Sequence, residues 1–176
     1  MGFGSSTVGD VSLNTELTVE QRERYQNVER IRAILGGART IAVVGLSTEK
    51  TKASNMVASY LRDAGYRVIP IHPKADEILG ERCYRTLSEV PEPVDVVDVF
   101  RPAAEVPGIV DEAIRIGAKA VWLQLRIVDL PSADRALEAG LDAVVDKCMK
   151  MEHGRFGGML HFAGMNTEIV SARRRS

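Results

Sequence analysis

The hydrophobic positions of this chain follow two alternating rhythms. Short apolar runs rich in Val and Ile, at 40–44, 67–71, 94–100, 119–123 and 141–145, read as strands covered on both faces, because a parallel strand between helices has no polar side. Between them, 54–64, 103–116 and 131–139 carry apolar residues three and four apart and stop at Gly65, Gly117 and Gly140, as helices closed by a left-handed residue do. Ahead of the first strand, Thr18 and Gln21 have capping-box spacing. Tyr25, Val28, Ile31, Ile34 and Leu35 then recur at helical spacing until Gly36-Gly37, which predicts one further helix. Residues 72–93 show neither rhythm and read as a looser connection.

The repeated strand–helix–strand order predicts an α/β fold, a doubly wound parallel five-stranded sheet in the expected order 3-2-1-4-5, with the N-terminal helix added outside it. Ligands of such sheets bind at the carboxyl ends of the strands, where the winding reverses. The expected crevice is therefore lined by residues 45–54, 72–74, 100–102 and 124–126. Residues 1–17, rich in Gly, Ser, Thr and Asn without periodicity, read as a flexible lead-in, and 18–153 as the folded domain. Residues 154–176 read as a glycine-rich extension with a basic end, Arg173-Arg174-Arg175.

At 176 residues and 45% hydrophobic content the chain suits one packed domain and leaves no room for a second. A net charge of −1 argues against a nucleic-acid or membrane-surface partner. The first residues lack a secretory apolar segment and no run approaches a membrane-spanning length, so a cytoplasmic location is expected. Cys83 and Cys148, in no CxxC pairing, are expected to be reduced thiols.

The candidate chemistry begins at Gly45-Leu46-Ser47, where the first strand opens into a polar loop. A glycine at that position lets a phosphate approach the backbone N–H groups at the start of the next helix, and hydroxyls at Ser47, Thr48, Thr51 and Ser54 with Lys50 and Lys52 suit a pyrophosphate. The dinucleotide pattern GxGxxG is absent, and the second strand ends in His72-Pro73-Lys74 instead of the acidic residue that reads a free ribose. An imidazole and an ammonium suit a ribose that carries a phosphate, as in coenzyme A or NADP.

Ala42-Val43-Val44-Gly45-Leu46-Ser47, Gly65-Tyr66-Arg67-Val68-Ile69-Pro70, Ile71-His72-Pro73, Ile78-Leu79-Gly80, Pro93-Val94-Asp95-Val96-Val97-Asp98-Val99-Phe100-Arg101, Trp122-Leu123-Gln124 and Asp146-Lys147-Cys148 together resemble the small bacterial and archaeal CoA-binding proteins. Their domain is similar to the CoA-binding domain of the succinyl-CoA synthetase α subunit. The resemblance spans 39–153. It implies a Rossmann-like fold whose first loop, Gly45, Leu46 and Ser47 with Ser54 at the helix start, holds the CoA pyrophosphate. His72, Pro73 and Lys74, and Phe100, Arg101 and Pro102 with Val106, would then hold the adenosine part. Three positions depart from the family pattern: His72 stands where Asn is usual, Arg126 near a usual Gly, and Ala53 where Pro is usual.

Other residues have competing roles. Phe100 suits either a core position or an adenine platform, and Arg101 either a ligand phosphate or a pair with Asp98 or Glu105. Trp122 is expected to pack, while Gln124 beyond it is expected to reach the ligand. Asp95 and Asp98 are expected to cap or pair, not to act as an acid–base couple. A Cys148–His153 nucleophile pair lacks an orienting third group, and no His, Cys, Asp or Glu cluster has metal-ligand spacing. The expectation is a non-catalytic module that binds CoA or an acyl-CoA, with a homodimer or an unidentified protein as the partner open to it. An NADP-dependent oxidoreductase and a subunit of an acyl-CoA ligase are the alternatives.

Overall fold

The computed structural model describes residues 17–162. Helices α1 (Val19–Tyr25) and α2 (Val28–Gly37) precede β1 (Thr40–Val44), α3 (Ala53–Asp63) and β2 (Arg67–Ile71). A small hairpin, β3 (Glu77–Ile78) and β4 (Glu81–Arg82), follows inside the looser connection. Then come β5 (Val96–Val99), α4 (Val106–Arg115), β6 (Ala120–Leu123), α5 (Leu130–Glu138), β7 (Asp142–Val144) and α6 (Met149–Phe162). Successive strand residues alternate between two cores. Ile41, Val43 and Trp122 pack with α2, α3 and α6, whereas Ala42, Val44 and Val97 pack with α4 and α5.

The five parallel strands stand in the order β2-β1-β5-β6-β7, which is 2-1-3-4-5 counted along the sheet strands and not the expected 3-2-1-4-5. Pro70 explains the difference. It lies opposite Val43 in β2, and its carbonyl on the outer edge accepts a bond from Tyr84 N at 3.0 Å. Its nitrogen at that same edge has no hydrogen, so no further strand could complete a ladder there, and β2 is confined to the edge. The third strand enters instead between the first and fourth, where all four of its residues are buried. The winding therefore reverses between β1 and β5.

The expected single N-terminal helix is two. Thr18 and Gln21 form the capping box of α1, and Asn27 interrupts the helix because its side chain accepts from Arg30 N at 3.0 Å and starts α2. The break lets the end of α1 cover the other sheet edge, where Val145 N donates to Tyr25 O and Gln26 Nε2 to Val145 O. Tyr25 OH donates to Asp134 at 2.5 Å. Tyr25→Phe is expected to destabilise the protein by about 1 kcal/mol in urea unfolding, the worth of one partly exposed hydrogen bond.

Helix α6 runs across the boundary expected at 153/154, with His153 and Phe156 buried. The readings of 1–16 and of the basic tail lie outside the described residues. Among those residues no helix is long and apolar enough to cross a membrane.

Candidate functional site

At the reversal point, the chain leaves β1 through Gly45 at φ +86°. A Cβ there would stand 2.7 Å from Arg101 Cδ and 3.1 Å from the Phe100 carbonyl oxygen, so only glycine lets the end of β5 close over this turn. Leu46 is fully buried and anchors the loop from below. Ser54 Oγ accepts from Ser47 N at 2.9 Å, and Asn55 Nδ2 donates to Ser47 O at 2.8 Å. Helix α3 starts at Ala53 with no side-chain cap and no acidic residue in its first turn, which leaves the positive end of its dipole to an anion. Ala53 occupies the first helical position, where proline is also accommodated.

Beside this loop lies a cavity of about 460 Å³ lined by residues from four segments. Gly45, Leu46 and Ser47 form one wall. His72 and Pro73 form the next, Arg85, Thr86 and Leu87 a third, and Arg101, Glu105, Ile109 and Glu112 the fourth. Arg101 is clamped by Glu105, with Nε–Oε2 at 2.5 Å and Nη2–Oε1 at 2.9 Å. That hydrogen-bonded pair raises the guanidinium pKa and holds the Glu105 carboxyl below its ordinary range. Arg85 donates to His72 O, to Ala75 O and to Asp76 Oδ1, so it braces the turn after β2. Glu112 accepts from Leu87 N and Ser88 Oγ and ties the third wall to α4.

The structure brings together six of the residues singled out from sequence: Gly45, Leu46, Ser47, His72, Pro73 and Arg101. It places the others around them. Ser54 shapes the loop through its buried hydroxyl. Lys74 is exposed outside the cavity wall, and Pro102 is exposed just beyond Arg101. Phe100 packs against the α3 side of the core, and Val106 lies fully buried on the α4 side. Gln124 is buried, with Nε2 donating to Asp98 Oδ1 at 2.7 Å, so its amide nitrogen is committed within the protein.

His72 does not offer a free imidazole. Its Nδ1 accepts from Lys74 N at 3.0 Å and Ala75 N at 2.8 Å, which leaves Nε2 as the ring's other nitrogen. An asparagine side chain can cap the same kind of turn. Arg126 is left-handed at φ +65°, the backbone for which glycine is suited, and its N–H donates to Asp146 Oδ1 at 2.6 Å. Arg85 and Glu112 had no sequence signal of their own. They reach the cavity because Tyr84 pairs alongside Ile71 and because α4 crosses above.

The Cys148–His153 pair is not formed. His153 Nδ1 bonds Tyr60 OH at 2.9 Å, its ring sits edge-on to Tyr60 and Tyr66, and burial pulls its pKa down. Trp122 packs as expected, with Nε1 donating to Lys147 O. Among the described residues no group of three His, Cys, Asp or Glu side chains is arranged to hold a metal ion.

Residues 39–154 match a family model described as a CoA binding domain. The uncharacterized protein YneT of Bacillus subtilis is 37% identical over 123 residues, 70% of this chain and 91% of YneT. A solved hypothetical protein from Pyrococcus horikoshii has a TM-score of 0.71 and 39% identity, covering 73% of this chain and 91% of that one. An ADP-forming acetate–CoA ligase of Archaeoglobus fulgidus is 36% identical over 77 residues, 44% of this chain, and the match spans only 11% of the ligase.

Proposed function

Since the chain belongs to the CoA-binding domain family, we propose that it holds coenzyme A or an acyl-CoA at the β1–β5 reversal as a binding module and catalyses no reaction on it alone. The observation that carries this reading is Gly45. It is left-handed, it would collide with Arg101 if it had a Cβ, and it lies before a helix start free of side-chain caps. This cradle suits a pyrophosphate, because backbone N–H groups and a helix dipole bind anions without a dedicated cation. Arg101 supplies a positive charge at the cavity wall. When a ligand phosphate enters, its guanidinium exchanges Glu105 for the phosphate. His72 lines the same cavity.

Binding without turnover is supported by His153, whose Nδ1 bonds Tyr60 and which makes no hydrogen bond to Cys148 among the described residues. The likeness to acetate–CoA ligases favours a second reading, in which the chain lends its CoA site to a larger ligase assembly.

Calorimetry with CoA, dephospho-CoA and NADPH tests the binding reading. CoA is expected to bind and NADPH to bind more weakly. Arg101→Ala is expected to weaken CoA by roughly 1.5 to 3 kcal/mol, about ten- to a hundredfold, as loss of a charge-assisted contact does. Glu105→Gln should act in the opposite direction by freeing Arg101. Incubation with acetyl-CoA or succinyl-CoA, with and without ATP and NADPH, should release no thiol and oxidise no nicotinamide. Thiol release that vanishes in Cys148→Ser would overturn the non-catalytic reading.

A further inference from the structure

The least satisfied polar group in the sheet lies just below its carboxyl edge. Asp98 is fully buried in β5, opposite Val43 of β1 and Trp122 of β6. Oδ1 accepts from Gln124 Nε2 at 2.7 Å, and Oδ2 has no partner. Other buried groups also keep an unpartnered atom, namely Arg32 Nε, Asp146 Oδ2 and His153 Nε2, and none of them bonds Asp98 among the described residues. On α2, Arg32 lies over Phe156, and on α3, Tyr60 bonds His153 of α6. Glu152 of α6 pairs with Lys147, and Asp146 accepts from Arg126 N. Among the described residues Asp98 therefore has one hydrogen-bond partner, a primary amide. Burial pushes its carboxyl up to about 7, against the opposing pull of the Gln124 bond.

Gln124 is the next residue after β6, with its backbone fixed by Gln124 N to Val99 O and Ile127 N to Gln124 O. Among the described residues its Oε1 has no hydrogen-bond partner and is not one of the buried atoms left without one, so the little surface Gln124 keeps includes that oxygen. The carboxamide can turn about its last bond, because its two ends have nearly the same shape and opposite polarity.

We propose that Asp98 is a positioning residue whose proton decides which end of the Gln124 carboxamide faces the carboxyl edge of the sheet. Ionised Asp98 accepts from Nε2 and leaves Oε1, an acceptor, outermost. When a solvent proton joins Oδ1, that O–H donates to Oε1, the amide reverses, and the two Nε2 hydrogens face outward as donors. Oδ2 then becomes the carbonyl oxygen of a neutral acid, whose burial costs less than that of an ionised one. A bound thioester or pantetheine amide would meet a donor on one side of this titration and an acceptor on the other. Only that last consequence rests on the CoA reading.

The test has two arms. In the full chain labelled with 15N and 13C and free of ligand, the Asp98 carboxyl carbon and the Gln124 side-chain amide are followed by NMR from pH 5.5 to 8.5. The Gln124 amide protons are expected to be shielded from water at the alkaline end and to exchange with it at the acid end, with the same midpoint as the carboxyl. An Asp98 that does not titrate in this window, or a Gln124 amide that keeps its orientation while Asp98 titrates, overturns the proposal whether or not any variant folds. In the second arm, the CoA dissociation constant is expected to change about three- to tenfold across the titration, the worth of one polar contact. In Asp98→Asn, whose Nδ2 donates to Oε1 as the protonated acid does, it should stay at the acid-side value at every pH. Gln124→Met should flatten the profile as well, and an unchanged profile in either folded variant counts against the proposal. Absence of CoA binding at every pH defeats the CoA reading and leaves the first arm to decide this one.

Discussion

Asp98→Asn should stabilise the protein in a pH-dependent way, by about 2 to 4 kcal/mol at pH 8 and by little at pH 4. The folded carboxyl titrates at about 7, whereas an unfolded aspartate titrates near 3.9, and each unit of difference is worth about 1.4 kcal/mol. Because the folded pKa is the higher of the two, the native state holds the proton longer. Wild-type stability is then full below about pH 4, falls as pH rises towards 7 and is level above it. Asparagine has no such proton and escapes the loss, although its second amide hydrogen is left without a partner and offsets part of the gain. Urea unfolding of both proteins at pH 4.5 and 8 checks this, and a gain of equal size at both values would mean that Asp98 is not the titrating group.

Gly45→Val is the second large effect, with CoA binding weakened at least about a hundredfold and stability lowered by roughly 2 to 3 kcal/mol. Two causes add. The backbone at φ +86° disfavours a branched side chain, and the new Cβ meets Arg101 Cδ and the Phe100 carbonyl oxygen. Combining it with Arg101→Ala separates them, since removing the arginine relieves one contact but neither the backbone strain nor the carbonyl contact. Binding should therefore stay lost in the double variant while part of the stability returns. Native CoA affinity in a folded Gly45→Val protein would remove the β1 loop from the site.

The place of β5 between β1 and β6 decides which residues meet at the crevice. Had the third strand paired outside the second, the crevice would open between the first and fourth strands, and Gln124 would stand opposite Gly45. With β5 between them, the residue facing Gly45 is Arg101, and Gln124 is turned towards Asp98. Pro70 carried this information in the sequence. A proline in a central strand breaks the ladder, but the continuous apolar run around it has the same appearance at an edge or in the middle.

What the sequence determined by itself was local and periodic. The five buried strands, the helices between them, the capping box at Thr18 and the turn at Gly45 follow from side-chain patterns within a few residues of one another. The resemblance at Gly45-Leu46-Ser47 and His72-Pro73 pointed to the end of the sheet where the cavity lies. What only the tertiary structure decided involves partners far apart in the chain: Glu105 clamping Arg101 beside Gly45, Arg85 bracing His72, His153 engaged by Tyr60, and Asp98 alone with Gln124. Such pairings depend on which strands become neighbours and on how deeply each group is removed from water. Both quantities are set by packing across the whole sheet, and no short stretch of residues encodes them.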